Sequence, residues 1–375
     1  MSRERLIGAL FLVGLVALLA IGFWKTGGSG APVRVLLPRR IDAVMGTDGM
    51  LATVIAPDEH VAASDALREA ENRIRDVEGL LSVRITRSEI SRLNRAPAGE
   101  EVPLSAAAQA VLTAARQAHA DTDGAFDATC RPQIEVWREA TEDGTVPTDD
   151  QLAAARRDSN WEHVELTPTG AIKTSATVQF DLGGVAKGYA IDRAFQLLRR
   201  QGWPGGLVNL GGDIRCFGRT PTGELWTIDI EDPFGRGVLG TLVVTDVAVC
   251  TSGNYRRYFE TSGRRRSHIL DPRTGYPTEA TCSVTVVAPD AITADIWATA
   301  LSVLGPDGLD RLPDGIEALL VVGDEQNHRL LMTSGFWQWF HTAPKSPVRN
   351  GAGSRSLLTP LGWLARIGSV FGASR

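Results

Sequence analysis

Cysteine is scarce in this sequence and poorly spaced for anything but packing. There are four, Cys130, Cys216, Cys250 and Cys282. No two form a C-x-x-C pair, which excludes zinc-finger and thioredoxin-type readings. Nothing in the spacing demands disulfides, so buried free thiols are expected. A basic excess is also missing: the formal net charge of −5 argues against a general nucleic-acid binder. Neither the Walker spacing G-x-x-x-x-G-K-[ST] nor the Rossmann G-x-G-x-x-G occurs at the glycine-rich stretches, and no internal repeat is visible. What remains is an ordinary globular composition, 43% hydrophobic and 22% charged, on a chain long enough for one large domain or two closely joined ones.

The N-terminus departs from that pattern. After Arg3 and Arg5, the stretch Leu6 to Trp24 runs 19 residues without a charge, close to the roughly 20 that a membrane-spanning helix needs. It is longer than the core of about 7–15 residues of a cleavable signal, and no clear A-x-A site follows. No cysteine follows either, which excludes a lipoprotein anchor. The expectation is an anchor or uncleaved signal over residues 1–25, with Trp24 at the interface. Lys25, Arg34, Arg39 and Arg40 lie beyond the run and dilute the positive-inside signal. "TGGSGAP" (Thr26 to Pro32) reads as flexible, and a linker is expected over 26–40, ahead of a folded domain at 41–340.

Helical periodicity marks Ala62 to Leu81, Ser105 to Ala120 and Gly188 to Arg200. A turn and a strand are expected from Met45. β-Branched runs predict further strands at Gly206 to Leu210, Trp226 to Ile230, Gly240 to Val249 and Cys282 to Val287. Ile316 to Val322 and Arg329 to Met332, joined by "GDEQN", predict a hairpin. Helices and strands mix without regular alternation, so the fold class is α+β, with mixed or antiparallel sheets and flanking helices. Residues 341–375 form a basic linker followed by Leu357, Leu358, Leu361, Leu364, Ile367 and Phe371 at helical spacing, with no acidic residue beyond Leu357. That tail reads either as a partner- or membrane-surface helix or as a frayed terminus.

Several polar, glycine-dense stretches could carry chemistry. "DLGGVAKGYAID" (Asp181 to Asp192) offers backbone N–H groups and Lys187 at a helix start, suited to an anion; read alone it is equally a strand-to-helix turn. "NLGGD" (Asn209 to Asp213) reads first as a hairpin turn. "TSGNYRR" (Thr251 to Arg257) offers hydroxyls and guanidiniums, or is a solvated basic turn. "RSHILDPRTGYP" (Arg266 to Pro277) places His268 ahead of a tight loop. In the helical "TADIWATAL" (Thr293 to Leu301), Asp295 and Thr299 share one face. A carboxylate with a hydroxyl suits a hard cation such as Mg²⁺ that also binds phosphates.

Order and spacing together are far more specific than any single piece. Met-Gly-Thr at 45–47, G-A-F-D-A-T-x-x-P-x-x-x-x-W (Gly124 to Trp137), and the five stretches above resemble the ApbE family, the FAD:protein FMN transferases. "SEISRLN" (Ser88 to Asn94) belongs to the same pattern, which runs from Met45 to Phe336. The resemblance implies Mg²⁺-dependent transfer of FMN from FAD to a Ser or Thr hydroxyl of an acceptor protein through a phosphoester, releasing AMP. FAD, as substrate, would lie against Met45, Ala125, Phe126, Asp127, Asp181, Lys187 and Leu270. The metal would be held by Asp295, Thr299 and a backbone oxygen of Gly184, and His268 would serve as the base for the incoming hydroxyl. Where many relatives carry a flavin-contacting tyrosine this chain has Arg84, so guanidinium contact with the flavin ring is one expectation.

Two alternatives stay open at this point: hydrolysis of FAD to FMN and AMP at the same site, and a non-catalytic flavin-binding assembly factor of a membrane redox complex. Family analogy further implies an acceptor at the membrane, such as an electron-transfer subunit. With the N-terminal helix in the inner membrane, the catalytic domain would face the periplasm.

Overall fold

The computed structural model describes residues 33–253, 258–261 and 264–342. Strands β1 (Val35–Val44) and β2 (Thr47–Ile55) form a hairpin leading into helix α1 (His60–Leu81). Helix α2 (Glu89–Arg95), strand β3 (Glu101–Pro103) and helices α3 (Ala106–Asp121), α4 (Arg131–Glu142) and α5 (Asp149–Asp158) follow. Strands β4 (Val164–Leu166) and β5 (Gly170–Lys173) join β3 in a small sheet before helix α6 (Ala186–Arg199). Next come β6 (Gly205–Leu210), β7 (Asp213–Gly218), β8 (Trp226–Glu231), β9 (Val238–Val244) and β10 (Ala248–Gly253). A hairpin of β11 (Tyr258–Thr261) and β12 (Arg264–Ser267), strand β13 (Ser283–Ala288) and helix α7 (Ala291–Leu304) follow. The described chain closes with β14 (Glu317–Gly323), β15 (His328–Met332) and β16 (Phe340–Thr342).

Eight strands form one sheet in the order β1-β2-β6-β7-β10-β13-β14-β15, and every neighbouring pair is antiparallel. Side chains alternate between its faces, as the strand period of two requires. Val208, Cys250, Val284, Val286, Ala318 and Leu320 join a core with α1, α6 and α7. Leu207, Val249, Val287 and Leu319 join a second core with Trp226, Ile228, Leu242 and Phe340 of the three-stranded sheet β16-β9-β8. The sheet is therefore covered on both faces, which is why β6 and β13 are buried along their whole length.

The helices follow the same burial logic. Along α1, Ala63, Leu67, Ala70, Ile74, Val77 and Leu81 recur every three or four residues and are buried, forming one apolar stripe. Helix α3 begins at Ser105, whose hydroxyl accepts from Ala108 N–H at 3.3 Å, an N-cap that satisfies an otherwise unpaired donor.

The expected α+β class holds, as do the helices beginning near residues 62, 105 and 188 and the hairpin after residue 316. Two boundaries move. The linker expected over 26–40 ends earlier, because Val35 to Arg40 pair with Ile55 to Met50 in β1; at the other end, His341 and Thr342 belong to β16 and pair with β9. The single strand expected over Gly240 to Val249 is two strands in two sheets. The chain turns at Thr245 to Val247, where Asp246 takes a positive φ of 57°, and an apolar run cannot report such a turn. No helix among the described residues is long and apolar enough to cross a membrane. The expected anchor at 1–25 and the amphipathic part of the tail lie outside the described residues.

Candidate functional site

Antiparallel register brings several turns to one end of the large sheet. The β1–β2 turn at Gly46 and Thr47 lies beside the β6–β7 turn, since Gly49 pairs with Leu210 and Gly211 N–H donates to Asp48 O at 3.0 Å. "NLGGD" is a two-residue hairpin turn, with φ of 64° at Gly211 and 102° at Gly212, the left-handed geometry such turns need. The end of β10, Thr251 to Gly253, arrives at the same place beside β7. Here a cleft of ≈ 590 Å³ opens, within the roughly 300–1,000 Å³ of small-molecule sites.

The cleft gathers a cation and carboxylates from four distant parts of the chain. Lys187, in the first turn of α6, donates to Asp213 Oδ2 and lies 3.8 Å from Asp295 Oδ1. Asp213 is 3% exposed, and its other oxygen accepts from Thr251 N–H at 3.0 Å. Asp295, 4% exposed, also accepts from Gly188 N–H at 3.0 Å. Thr299 lies one turn further along α7. A Cβ built on Gly184 would stand 2.8 Å from Thr299 Oγ1 and 3.1 Å from Phe126, so only glycine lets this backbone come so close to the hydroxyl.

Support for the Asp181–Gly184 turn comes from below. The Asn94 side chain accepts from Phe180 N–H at 2.7 Å and donates to Phe180 O at 2.9 Å. Lys173, fully buried, donates to the carbonyls of Asn94, Ala176 and Val178 at 3.0, 3.3 and 2.9 Å. Among the described residues no carboxylate pairs with it, and burial pushes the Lys173 pKa down. Asn94 closes the "SEISRLN" stretch, so that motif is scaffolding for the turn. Asp181 itself accepts from Gly183 N–H at 2.9 Å and lies 3.7 Å from Arg131.

A second brace sets helix α7. Asp192 on α6 accepts from Ala291 N–H at 2.9 Å and Ile292 N–H at 3.0 Å, the free donors at the start of α7. Burial pushes the Asp192 pKa up, opposed by Arg215, which is bonded to it at 2.6 Å.

His268 and Leu270 also line the cleft, with Phe259 and Ile134. The loop after His268 is built by its own polar residues. Arg273 donates to both carboxylate oxygens of Asp271 at 2.9 and 2.8 Å, and Asp271 O accepts from Gly275 N–H at 2.7 Å. Helix α4 holds this loop from behind: buried Trp137 donates to Gly275 O at 2.7 Å and Gln133 to Pro272 O at 3.1 Å. Asp271 and Arg273 therefore shape the turn, while His268, Leu270 and Pro272 face the cleft.

Of the residues singled out from sequence, Ala125, Phe126, Asp127, Asp181, Gly184, Lys187, His268, Leu270, Asp295 and Thr299 all line this one cleft. Met45 does not stand in its wall. It has φ of 51°, packs on the main core, and its N–H donates to Glu78 at 2.7 Å. Its neighbours Gly46 and Thr47 take the lining positions. The Asp127 carboxylate is turned to Thr129, accepting from its N–H and hydroxyl at 2.7 Å each, and lies 3.4 Å from His119. Arg84 is exposed in the turn after α1 and is not part of the wall. Asn254 to Arg257 of "TSGNYRR" lie outside the described residues. Asp213 is the cleft residue that sequence reasoning passed over, because its hairpin-turn role was sufficient explanation by itself. All four cysteines are free; Cys216 and Cys250 are buried, and Cys130 lines the cleft. Burial pushes the Cys216 thiol up to about 12.

The chain is similar to a known family over most of its length. The family model described as the ApbE family matches residues 45–320. A protein of Vibrio cholerae serotype O1 named FAD:protein FMN transferase is 33% identical over 301 residues, covering 78% of this chain and 89% of its own. A Treponema pallidum protein of the same name is 32% identical over 323 residues, covering 80% of this chain and 88% of its own. The crystal structure of the Pseudomonas stutzeri flavinyl transferase ApbE, apo form, superposes with a TM-score of 0.72 at 31% identity, covering 83% of this chain and 98% of that one.

Proposed function

The chain belongs to the ApbE family, and from that premise we propose that it moves FMN from FAD to a Ser or Thr hydroxyl of an acceptor protein, using Mg²⁺ and releasing AMP. The observation that carries the proposal is the meeting of Lys187, Asp295, Thr299 and His268 in one cleft. A pure flavin binder needs no such set of cation, carboxylate, hydroxyl and imidazole.

The reaction asks three things of the chain. The acceptor hydroxyl must lose a proton, and His268 is the imidazole in the cleft that would take it. The hydroxyl oxygen then forms a bond to the FMN phosphorus while the bond to the bridging pyrophosphate oxygen breaks, and that oxygen leaves with AMP. Negative charge on the phosphoryl oxygens must be balanced, and Lys187, held by Asp213 at the start of α6, stands ready for it. Asp181 and the backbone around Ala125 to Asp127 would orient FAD along the wall.

The donor set suits Mg²⁺. Asp295, Thr299 and the carbonyl of Gly184 would offer hard oxygens, and the Gly184 backbone runs close to the Thr299 hydroxyl. Among the described residues no three His, Cys, Asp or Glu side chains cluster as a metal cage. Mg²⁺ bound jointly by protein and substrate phosphates needs only one or two carboxylates. When bound there it would neutralise phosphate charge.

The proposed acceptor is a membrane-associated electron-transfer subunit. The apolar run Leu6 to Trp24 would hold the enzyme in the inner membrane with its catalytic domain on the periplasmic side.

Incubating the full chain with FAD, Mg²⁺ and candidate acceptor proteins tests the reading, with in-gel flavin fluorescence as the readout. Covalent FMN on an acceptor is expected. Free FMN without labelled protein would mean hydrolysis, and intact FAD would mean binding alone; either overturns the proposal. Asp295→Asn keeps an acceptor for Gly188 N–H but removes the charge. It is expected to abolish labelling at limiting Mg²⁺ while thermal melting stays close to wild type, and unchanged labelling would discard the metal site.

A further inference from the structure

A second recess, ≈ 640 Å³ in volume, lies behind the cleft. It opens between the C-terminal end of α3 and the turn after it, at His119 and Gly124, and the face of α5 carrying Arg156 and Arg157, with Pro272 and Arg273 also lining it. Asp127 and Pro272 line both hollows. The loop that presents His268 to the cleft therefore also forms a wall of the recess.

Most charges around the recess are already matched. Arg273 is paired with Asp271 and Asp123 with Arg311 at 2.5 Å, while Asp127 accepts from the N–H and hydroxyl of Thr129. Arg156 and Arg157 are exposed, and no carboxylate among the described residues pairs with either. Their place in the last turn of α5 suits the helix dipole. That preference does not require both to line one hollow bordering the reactive cleft. Two unmatched guanidiniums in a concave site are a receptor for carboxylate, which they can bind with two parallel N–H donors.

We propose that this recess is the docking site of the acceptor polypeptide, seating a carboxylate-bearing segment that flanks the modified hydroxyl. The proposal rests on the transferase reading above, since only that reaction requires a polypeptide beside the cleft. Arg156 and Arg157 then bind and orient the acceptor without touching FAD. They set which Ser or Thr is modified through its acidic neighbours.

The test uses the full chain with FAD, Mg²⁺ and a peptide library having one fixed threonine and randomised flanks. Labelled peptides are recovered by their flavin and sequenced. Wild type is expected to enrich Asp and Glu at defined offsets from the threonine. The Arg156→Glu/Arg157→Glu variant should lose that enrichment or shift it to Lys and Arg. With one acidic peptide, Arg156→Gln/Arg157→Gln is expected to raise KM roughly three- to tenfold, with kcat and FAD affinity unchanged, as befits two partly exposed charge contacts. An identical labelled pool from wild type and the charge-reversed variant would overturn the docking site and leave the transferase reading standing. Absence of labelling in both, with free FMN formed instead, would overturn the transferase reading and this proposal with it.

Discussion

Asp213 joins two separate parts of the site. Its two oxygens are occupied by Lys187 Nζ and Thr251 N–H, so it fixes the cation and ties β7 to the end of β10. Removing one partner of a buried pair leaves the other charge uncompensated. Lys187 keeps Asp295 at 3.8 Å, which limits the loss. Asp213→Asn preserves shape and the bond from Thr251 but removes the charge that anchors Lys187. FMN transfer is expected to fall roughly tenfold, or about 1.4 kcal/mol of transition-state stabilisation. Single-turnover labelling beside a melting curve checks this; a wild-type rate would show that Lys187 is held well enough without it.

The two helices that carry Lys187 and Asp295 approach each other closely at Gly188. A Cβ on Gly188 of α6 would stand 2.2 Å from the carbonyl oxygen of Ala291 and 2.7 Å from Ile292 Cα, both in the first turn of α7. Backbone cannot step aside as a flexible side chain can. Asp192 and Arg215 fasten the same junction, so the helices cannot part cheaply. Gly188→Ala would gain about 1 kcal/mol in helix propensity, but overpacking against backbone typically costs about 1–3 kcal/mol. A lower melting temperature is expected. Apparent Mg²⁺ affinity in the transfer assay should weaken too, because Gly188 N–H orients Asp295. A variant as stable as wild type would refute this account of the contact.

Two apolar cores and the described lining of the cleft lie within residues 33–342, and β1, which begins at Val35, is the edge strand of the large sheet. Deleting residues 1–32 leaves every residue of those cores and that lining in place. The shortened protein is expected to melt like the full chain and to label a soluble acceptor at the same rate, while association with membrane vesicles is lost. Failure of the shortened, folded protein to bind FAD would show that the N-terminal segment is part of the catalytic unit. Much of this architecture was legible beforehand: α1 and α3 from their periodicity, and the β14–β15 hairpin from two apolar runs around "GDEQN". The break between β9 and β10 was not, because Thr245 to Val247 interrupt the apolar pattern too briefly to signal a change of sheet.

Sequence by itself determined the residue types of the site and their order. Asp295 and Thr299 are four apart on a helix, Lys187 follows two glycines at a helix start, and His268 precedes an Asp-Pro turn. Those are local facts, governed by backbone geometry within a few residues. Tertiary structure decided which of them meet. Asp213 and Lys187 are bonded because antiparallel pairing returns the β6–β7 turn to the start of α6, a contact spanning 26 residues. Asp127 became a wall between two hollows, and Met45 fell out of the lining, because packing aims a side chain in ways that its neighbours in sequence do not record. Arg156 and Arg157 stood in no motif at all. They matter only because α5 packs beside the His268 loop, and the charge they leave unmatched exists only once every other pair around them has formed.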